Sequence, residues 1–281
     1  MTLPHSEIKA ITKLLKTQDE STYKLLEEQF INFDSKLLHK INSQIPSDDI
    51  QLKNEFLKLI SRTKSTKIKK DFISWSTSPT QNLEEGVFLI ASFNDPMLDT
   101  EHYSDILNKW ADKLEKNLKK IKVKNDPTSI INEINHYLFM EIGLMGNKEN
   151  YYSPENSFIN KVLETSQGNP ILLSVIYLLI SKRLGLPFEG VNMPAHFLVQ
   201  YMDSIDSIYI DPFNQGEIIT RADCKERIKA LKMTWHNEFL SAPSNKQILA
   251  RIMQNLINIY HSEGNFESKE CLEDYVRILK S

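Results

Sequence analysis

The chain has 281 residues, of which 41% are hydrophobic and 25% charged, the balance of a globular protein able to bury one large core or two moderate ones. A net charge of −3 gives no global attraction to nucleic acid, and two cysteines are too few for a disulfide framework or a cysteine zinc site. The first residues lack a charged-then-apolar leader and the apolar run 170–180 is too short for a bilayer, so a cytoplasmic protein without membrane contact is expected.

Helical spacing dominates the first half. Ile8, Ile11, Leu14 and Leu15 mark one helix, Tyr23, Leu26 and Phe30 a second, and Leu37, Leu38 and Ile41 a third. Leu52, Phe56, Leu59 and Ile60 mark a fourth, with Ser47 as its cap. Residues 62–70 hold five basic side chains in nine. Without interleaved aromatics they read as a solvated helix end or loop, the alternative being a patch for an acidic partner. Phe72, Ile73 and Trp75 lead into a loop at 76–80. Leu83, Val87, Ile90 and Ala91 form a helix that stops before Pro96, and Tyr103, Ile106, Trp110, Leu114 and Ile121 form a longer one. Asp126-Pro127 then opens a helix through Ile130, Ile134 and Leu138.

From 143 to 154 the chain turns polar and aromatic. Two readings stand side by side. Asn147, Tyr152, Asn156 and Ser157 rim a cleft, or they belong to a structural loop whose Asn and Ser side chains cap the next helix.

The densest stretch is 168–211. Asn169 caps a helix, Pro170 suits its first turn, and Gly185 ends it. Leu173, Ile176, Tyr177, Ile180 and Leu184 lie on one face and Leu172, Val175 and Leu179 on the other, so the helix is apolar nearly all round and belongs inside. After Pro187 the period becomes two, predicting strands at 188–193, 197–201 and 208–213 with a turn at 204–207. His196 opens one strand and Asp211 ends the next, an arrangement suited to a helix-terminal thiol activated by a His that an Asp orients. Thr220 and Asp223 form a capping box ahead of Cys224, whose helix makes it a small buried hydrophobe. Beyond a loop at 241–245, Ile248, Ile252, Leu256 and Ile259 face Phe266, Tyr275, Val276 and Leu279 across a turn at Gly264-Asn265.

These pieces resemble the transglutaminase-like superfamily, in which Gly-x-Cys opens the helix, His starts a strand and Asp-Pro closes the next one. The match is closest to the SirB family, carried by 135–147 (NHYLFMEIGLMGN), 151–160 (YYSPENSFIN), 168–177, 183–201 (RLGLPFEGVNMPAHFLVQY) and 211–224 (DPFNQGEIITRADC), with 83–118 similar to its helical lead-in. Residues 8–30 resemble a HEAT-type repeat and 255–279 a single tetratricopeptide unit. The resemblance implies an α+β protein: a helical region at 1–122, a transglutaminase-like core at 123–240 and a helical hairpin at 241–281.

One departure decides the functional expectation. Where the family pattern has Gly-x-Cys, this chain reads Gly168-Asn169-Pro170. His196 and Asp211 stay as a residual pair, and Asn147, Tyr152, Asn156, Ser157, Gly168 and Asn169 are the candidate cleft residues. The expectation is a degenerate member that binds a protein or peptide, with no metal, no cofactor and no nucleic acid. Two alternatives stay open: a hydrolase or acyltransferase working through His196 and Asp211 with another nucleophile or an activated water, and a helical adaptor whose core is a relic.

Overall fold

The computed structural model describes residues 4–17, 19–120, 126–202 and 207–280. Two compact units are distinguished, Met1–Ser78 with Leu89–Thr100, and Pro79–Phe88 with Glu101–Ser281.

The first unit contains α1 (His5–Leu15), α2 (Glu20–Phe30), α3 (Ser35–Asn42) and α4 (Ile50–Thr77). Asp19, Asp34 and Asp49 cap α2, α3 and α4 by accepting from the amides of Thr22, Leu37 and Leu52. The cap of the fourth helix is therefore Asp49 rather than Ser47. Helix α4 also runs for 28 residues straight through the basic stretch, which is neither a helix end nor a loop. Lysine and arginine are good helix formers, and Thr63, Ile68 and Phe72 supply a buried face along the same turns. On the other faces Lys64 donates to the Phe33 carbonyl (2.8 Å) and Lys67 pairs with Asp71 (2.7 Å). Ser76 and Thr77, read as loop, close the helix instead, their hydroxyls donating back to the Ile73 carbonyl. The core of this unit gathers Ile8, Leu15, Leu26, Phe30, Leu38 and Phe56.

The chain continues through α5 (Leu83–Asn94), α6 (Thr100–Leu118) and α7 (Pro127–Asn135), the last capped by Asp126 with proline in its first turn. Leu138 lies beyond α7, in a π-helical turn at His136–Glu141. Ile121, the expected division at 122, and residues 204–206 of the expected strand turn fall outside the described residues. Next come β1 (Met145–Gly146), α8 (Ile159–Thr165), β2 (Gln167–Gly168) and α9 (Pro170–Arg183). Then follow β3 (Phe188–Val191), β4 (Leu198–Tyr201), β5 (Ile208–Asp211), β6 (Glu217–Ile219), α10 (Arg221–Ala230), α11 (Asn245–Glu263) and α12 (Phe266–Lys280).

This is the α+β architecture read from the sequence. Helix α9 is buried at every position from Pro170 to Ser181, as its all-round apolar surface requires. It packs against an antiparallel sheet of order β3-β4-β5-β6, with Val199 opposite Ile210 and Tyr209 opposite Ile219. The fourth strand escaped the sequence reading because it is three residues long with two of them exposed. So did the parallel pair β1 and β2, two residues each. The turn into β6 needs glycine: Gly216 has φ +76°, and a Cβ there would lie 2.4 Å from the Asn135 side chain, which donates to its carbonyl. Among the described residues no helix is long and apolar enough to cross a membrane.

Two hydroxyls on α9 differ in their surroundings, and that difference can be measured. Ser174 Oγ lies 2.8 Å from the Pro170 carbonyl and 3.2 Å from the Phe197 carbonyl, tying the helix to the approach of β4. The Tyr177 phenol is fully buried and has no hydrogen-bond partner among the described residues. Ser174→Ala is expected to lower the unfolding free energy by about 1 kcal/mol, while Tyr177→Phe leaves it unchanged or raises it. Urea denaturation of both variants checks this, and a substantial loss in Tyr177→Phe would mean that a bound water holds the phenol.

Candidate functional site

Register brings the two ends together. Antiparallel pairing of β4 with β5 sets the residues entering β4 beside the C-terminal end of β5. His196 sits on a tight bend whose amide donates to the Met193 carbonyl (3.1 Å), with Ala195 in the left-handed region at φ +57°. Its imidazole Nε2 lies 2.8 Å from Asp211 Oδ1. His196 and Asp211 are thus adjacent, with 16% and 0% of their side chains exposed.

Asp211 is more heavily engaged than a two-residue pair requires. Its Oδ2 accepts from Arg227 Nη1 (2.6 Å) and Asn214 Nδ2 (2.9 Å), and its Oδ1 also accepts from the Asn214 amide (3.3 Å). Burial pushes its pKa upward, but the hydrogen bonds from His196, Arg227 and Asn214 outweigh it and hold the carboxyl below the ordinary carboxylate value. An ionised carboxylate only accepts, so Nε2 carries a proton toward Asp211, and Nδ1 keeps a lone pair whenever the ring is neutral. Among the described residues nothing hydrogen-bonds to that Nδ1. Arg227, which also reaches Glu217 at 3.2 Å, did not emerge from the sequence reading. Its one signal there was its place on the helix that Thr220 and Asp223 open.

Pro170 occupies the first turn of α9, buried behind the Asn169 cap. The other nucleophile candidates are engaged elsewhere. Ser174 is buried between two carbonyls. Cys224 lies among Val191, Met193, Leu198 and Ile228, where burial pushes its thiol up to about 11.

The polar loop divides between two jobs. Tyr152 and Asn169 line a cavity of about 340 Å³ together with Tyr151, Asn255, Asn258 and Ile259. Asn147, Asn156, Ser157 and Gly168 are not among its lining residues. Asn156 Nδ2 donates to the carbonyls of Asn150 (2.7 Å) and Tyr151 (3.1 Å), and its Oδ1 accepts from Asn147 (2.9 Å). Ser157 accepts from Asn169 Nδ2 (2.8 Å), while Asn169 Oδ1 caps α9 at the Leu172 amide (2.9 Å). The Gly168 carbonyl accepts from the Asn147 amide (3.1 Å). These side chains do not cap α8, which starts without a side-chain cap. They hold the loop against the start of α9 instead. Nearby, a Cβ on Gly146 would lie 2.6 Å from the Phe213 carbonyl, so only glycine lets β1 approach the turn that follows Asp211.

The far wall comes from α11, whose contribution the sequence reading missed. Arg251 Nη2 donates to the His196 carbonyl (2.8 Å), Nη1 reaches Asn192, and the guanidinium carbon stands 5.7 Å from the Phe197 ring centroid. Among the described residues no group of three or more His, Cys, Asp and Glu side chains could hold a metal ion.

The sequence profile of the transglutaminase-like superfamily matches residues 101–254. A UPF0162 protein of Xylella fastidiosa strain 9a5c is 32% identical over 212 residues, covering 72% of each chain. A UPF0162 protein of Vibrio cholerae is 36% identical over 84 residues, covering 30% of this chain and 31% of that one. F-box only protein 21 of Mus musculus is 30% identical over 155 residues, 52% of this chain and 24% of that protein. No solved structure matches.

The charge state of Asp211 links the site to stability. Its folded-state pKa is depressed, so its contribution is complete above the unfolded value of about 3.9 and is lost as pH falls below that point. Asp211→Asn is therefore expected to be less stable than wild type at pH 7 and to lose less on acidification. Urea midpoints between neutral pH and pH 3 test this, and equal acid slopes in the two proteins would contradict it.

Proposed function

Since the chain belongs to the transglutaminase-like superfamily and, within it, to the UPF0162 proteins, we propose that it is a member without acyl-transfer chemistry whose cleft binds a protein or peptide. The observation that carries this is Pro170. It stands in the first turn of α9 at the position where the superfamily pattern has a thiol, in a chain that keeps the His196–Asp211 pair. A histidine that can take a proton has no acyl intermediate to make without an attacking atom. The buried, bonded Ser174 and the buried Cys224 thiol do not supply one. The motifs from Asn135 to Cys224 support a place among the SirB proteins. The composition and the absence of a membrane-length helix among the described residues favour a cytoplasmic setting.

A second reading rests on a specific observation. The lone pair on His196 Nδ1 is free and the ring is partly exposed, so an activated water would make the protein a hydrolase.

Both readings meet one experiment with a thiol-reactive acyl probe, run in a Cys271→Ser background to remove the half-exposed thiol. The wild-type site is expected to stay unlabelled, Pro170→Cys to label, and Pro170→Cys with His196→Ala to label about 100-fold more slowly. Label on the wild-type sequence that disappears in Cys224→Ser would sink the leading reading. Ester hydrolysis by the unaltered chain that His196→Ala abolishes would establish the water-using alternative.

A further inference from the structure

The binding role above leaves open where a ligand sits and what it is made of. We propose that the cavity between the Tyr151–Tyr152 pair and α11 is the seat of an extended, uncharged polypeptide segment. This rests on the binding reading and adds a location and a chemistry to it.

One wall is aromatic. From His196, edge-on ring contacts lead to Phe213 (6.1 Å between centroids), from Phe213 to Tyr151 (5.9 Å), and from Tyr151 to Tyr152 (5.1 Å). Tyr152 is 76% exposed, an unusual degree for a large ring. Burial raises the pKa of Tyr151, so its phenol stays a neutral hydrogen-bonding group at physiological pH.

The other wall is the face of α11 that carries Asn255, Asn258 and Ser262, spaced three and four residues apart. One turn earlier, outside the cavity lining, Arg251 donates to the His196 carbonyl and ties this helix to the proton-handling pair. The eight residues from Asn255 to Ser262 cover about 10 Å, the length of about three residues of extended chain. Successive positions on the face are about 5–6 Å apart, close to the ~6.6 Å between alternate residues of a strand.

The polar groups have the right character. Asn255 has no hydrogen-bond partner among the described residues, and Asn258 Oδ1 accepts from Gln254 (3.0 Å) while its Nδ2 is left open. A carboxamide offers both a donor and an acceptor, the complement of a peptide unit. Ile259 supplies an apolar lining surface. Among the described residues no charged side chain lines the cavity, so a charged ligand would lose hydration there without a counter-charge in the lining. The region matched by the superfamily ends at residue 254, so the tail wall from Asn255 onward lies beyond the shared core.

The test uses the full chain on two arrays. One carries N-acetylated, C-amidated hexapeptides of uncharged, acidic and basic composition, and the other carries neutral oligosaccharides. Wild type is expected to retain uncharged peptides containing an aromatic or aliphatic residue. In fluorescence polarisation with the best of these, Tyr152→Ala and Asn255→Ala should each weaken binding about tenfold, and Tyr152→Phe should retain most of it. Tyr152 is exposed, so such a loss would not come from unfolding. Peptides bound equally well by both alanine variants would overturn the cavity as the seat while leaving the binding reading intact. No retained peptide at all would sink both. A preference for charged peptides or for oligosaccharides would overturn the ligand chemistry.

Discussion

The site depends on one buried carboxylate. Asp211 has no exposed side-chain surface and yet stays ionised, because His196, Arg227 and Asn214 together replace the water it has lost. Each donor comes from a different element: the bend before β4, helix α10, and the turn after β5. The carboxylate therefore fixes the mutual placement of three segments as well as the tautomer of the imidazole. A buried charge with a single partner would be costly. With three it becomes a structural hub, whatever chemistry the site does.

The start of α9 is determined in a similar way. Asn169 uses one side-chain atom to cap the helix and another to hold Ser157, while Asn156 collects the carbonyls of the preceding loop. Proline in the first turn is compatible with all of this, since the amide it lacks is one the helix leaves unpaired at that position. The framework that would aim a thiol is thus maintained by capping and loop bonds that do not require the thiol. The geometry around the start of α9 and the identity of the residue at position 170 are therefore physically independent.

Much of this was legible in the sequence. The all-round apolar pattern of α9 placed it inside, and the change of period after Pro187 located three of the four strands that follow it. His196 and Asp211 could be paired because one opens a short strand and the other ends the next. What could not be read was tertiary. Arg227 looks like any exposed helix cation until a buried acid is known to face it. Asn156 and Ser157 looked like helix caps, since local patterns cannot say that their partners lie on loop backbone and on Asn169. Helix α4 was cut at its basic stretch because charge was weighed above helix propensity. The wall built by α11 was invisible because Arg251 and Asn255 meet the core only through the fold.

Arg251 bridges the tail to the backbone of His196, so one face of α11 belongs to the core while its outer turns are free of that duty. The two stretches of this helix are then under different constraints. Asn255, Asn258 and Ser262 line the cavity and bond to none of the groups around Asp211, so a change there reshapes the lining without disturbing the hub. In a scaffold divided this way, the surface can vary while the interior holds still.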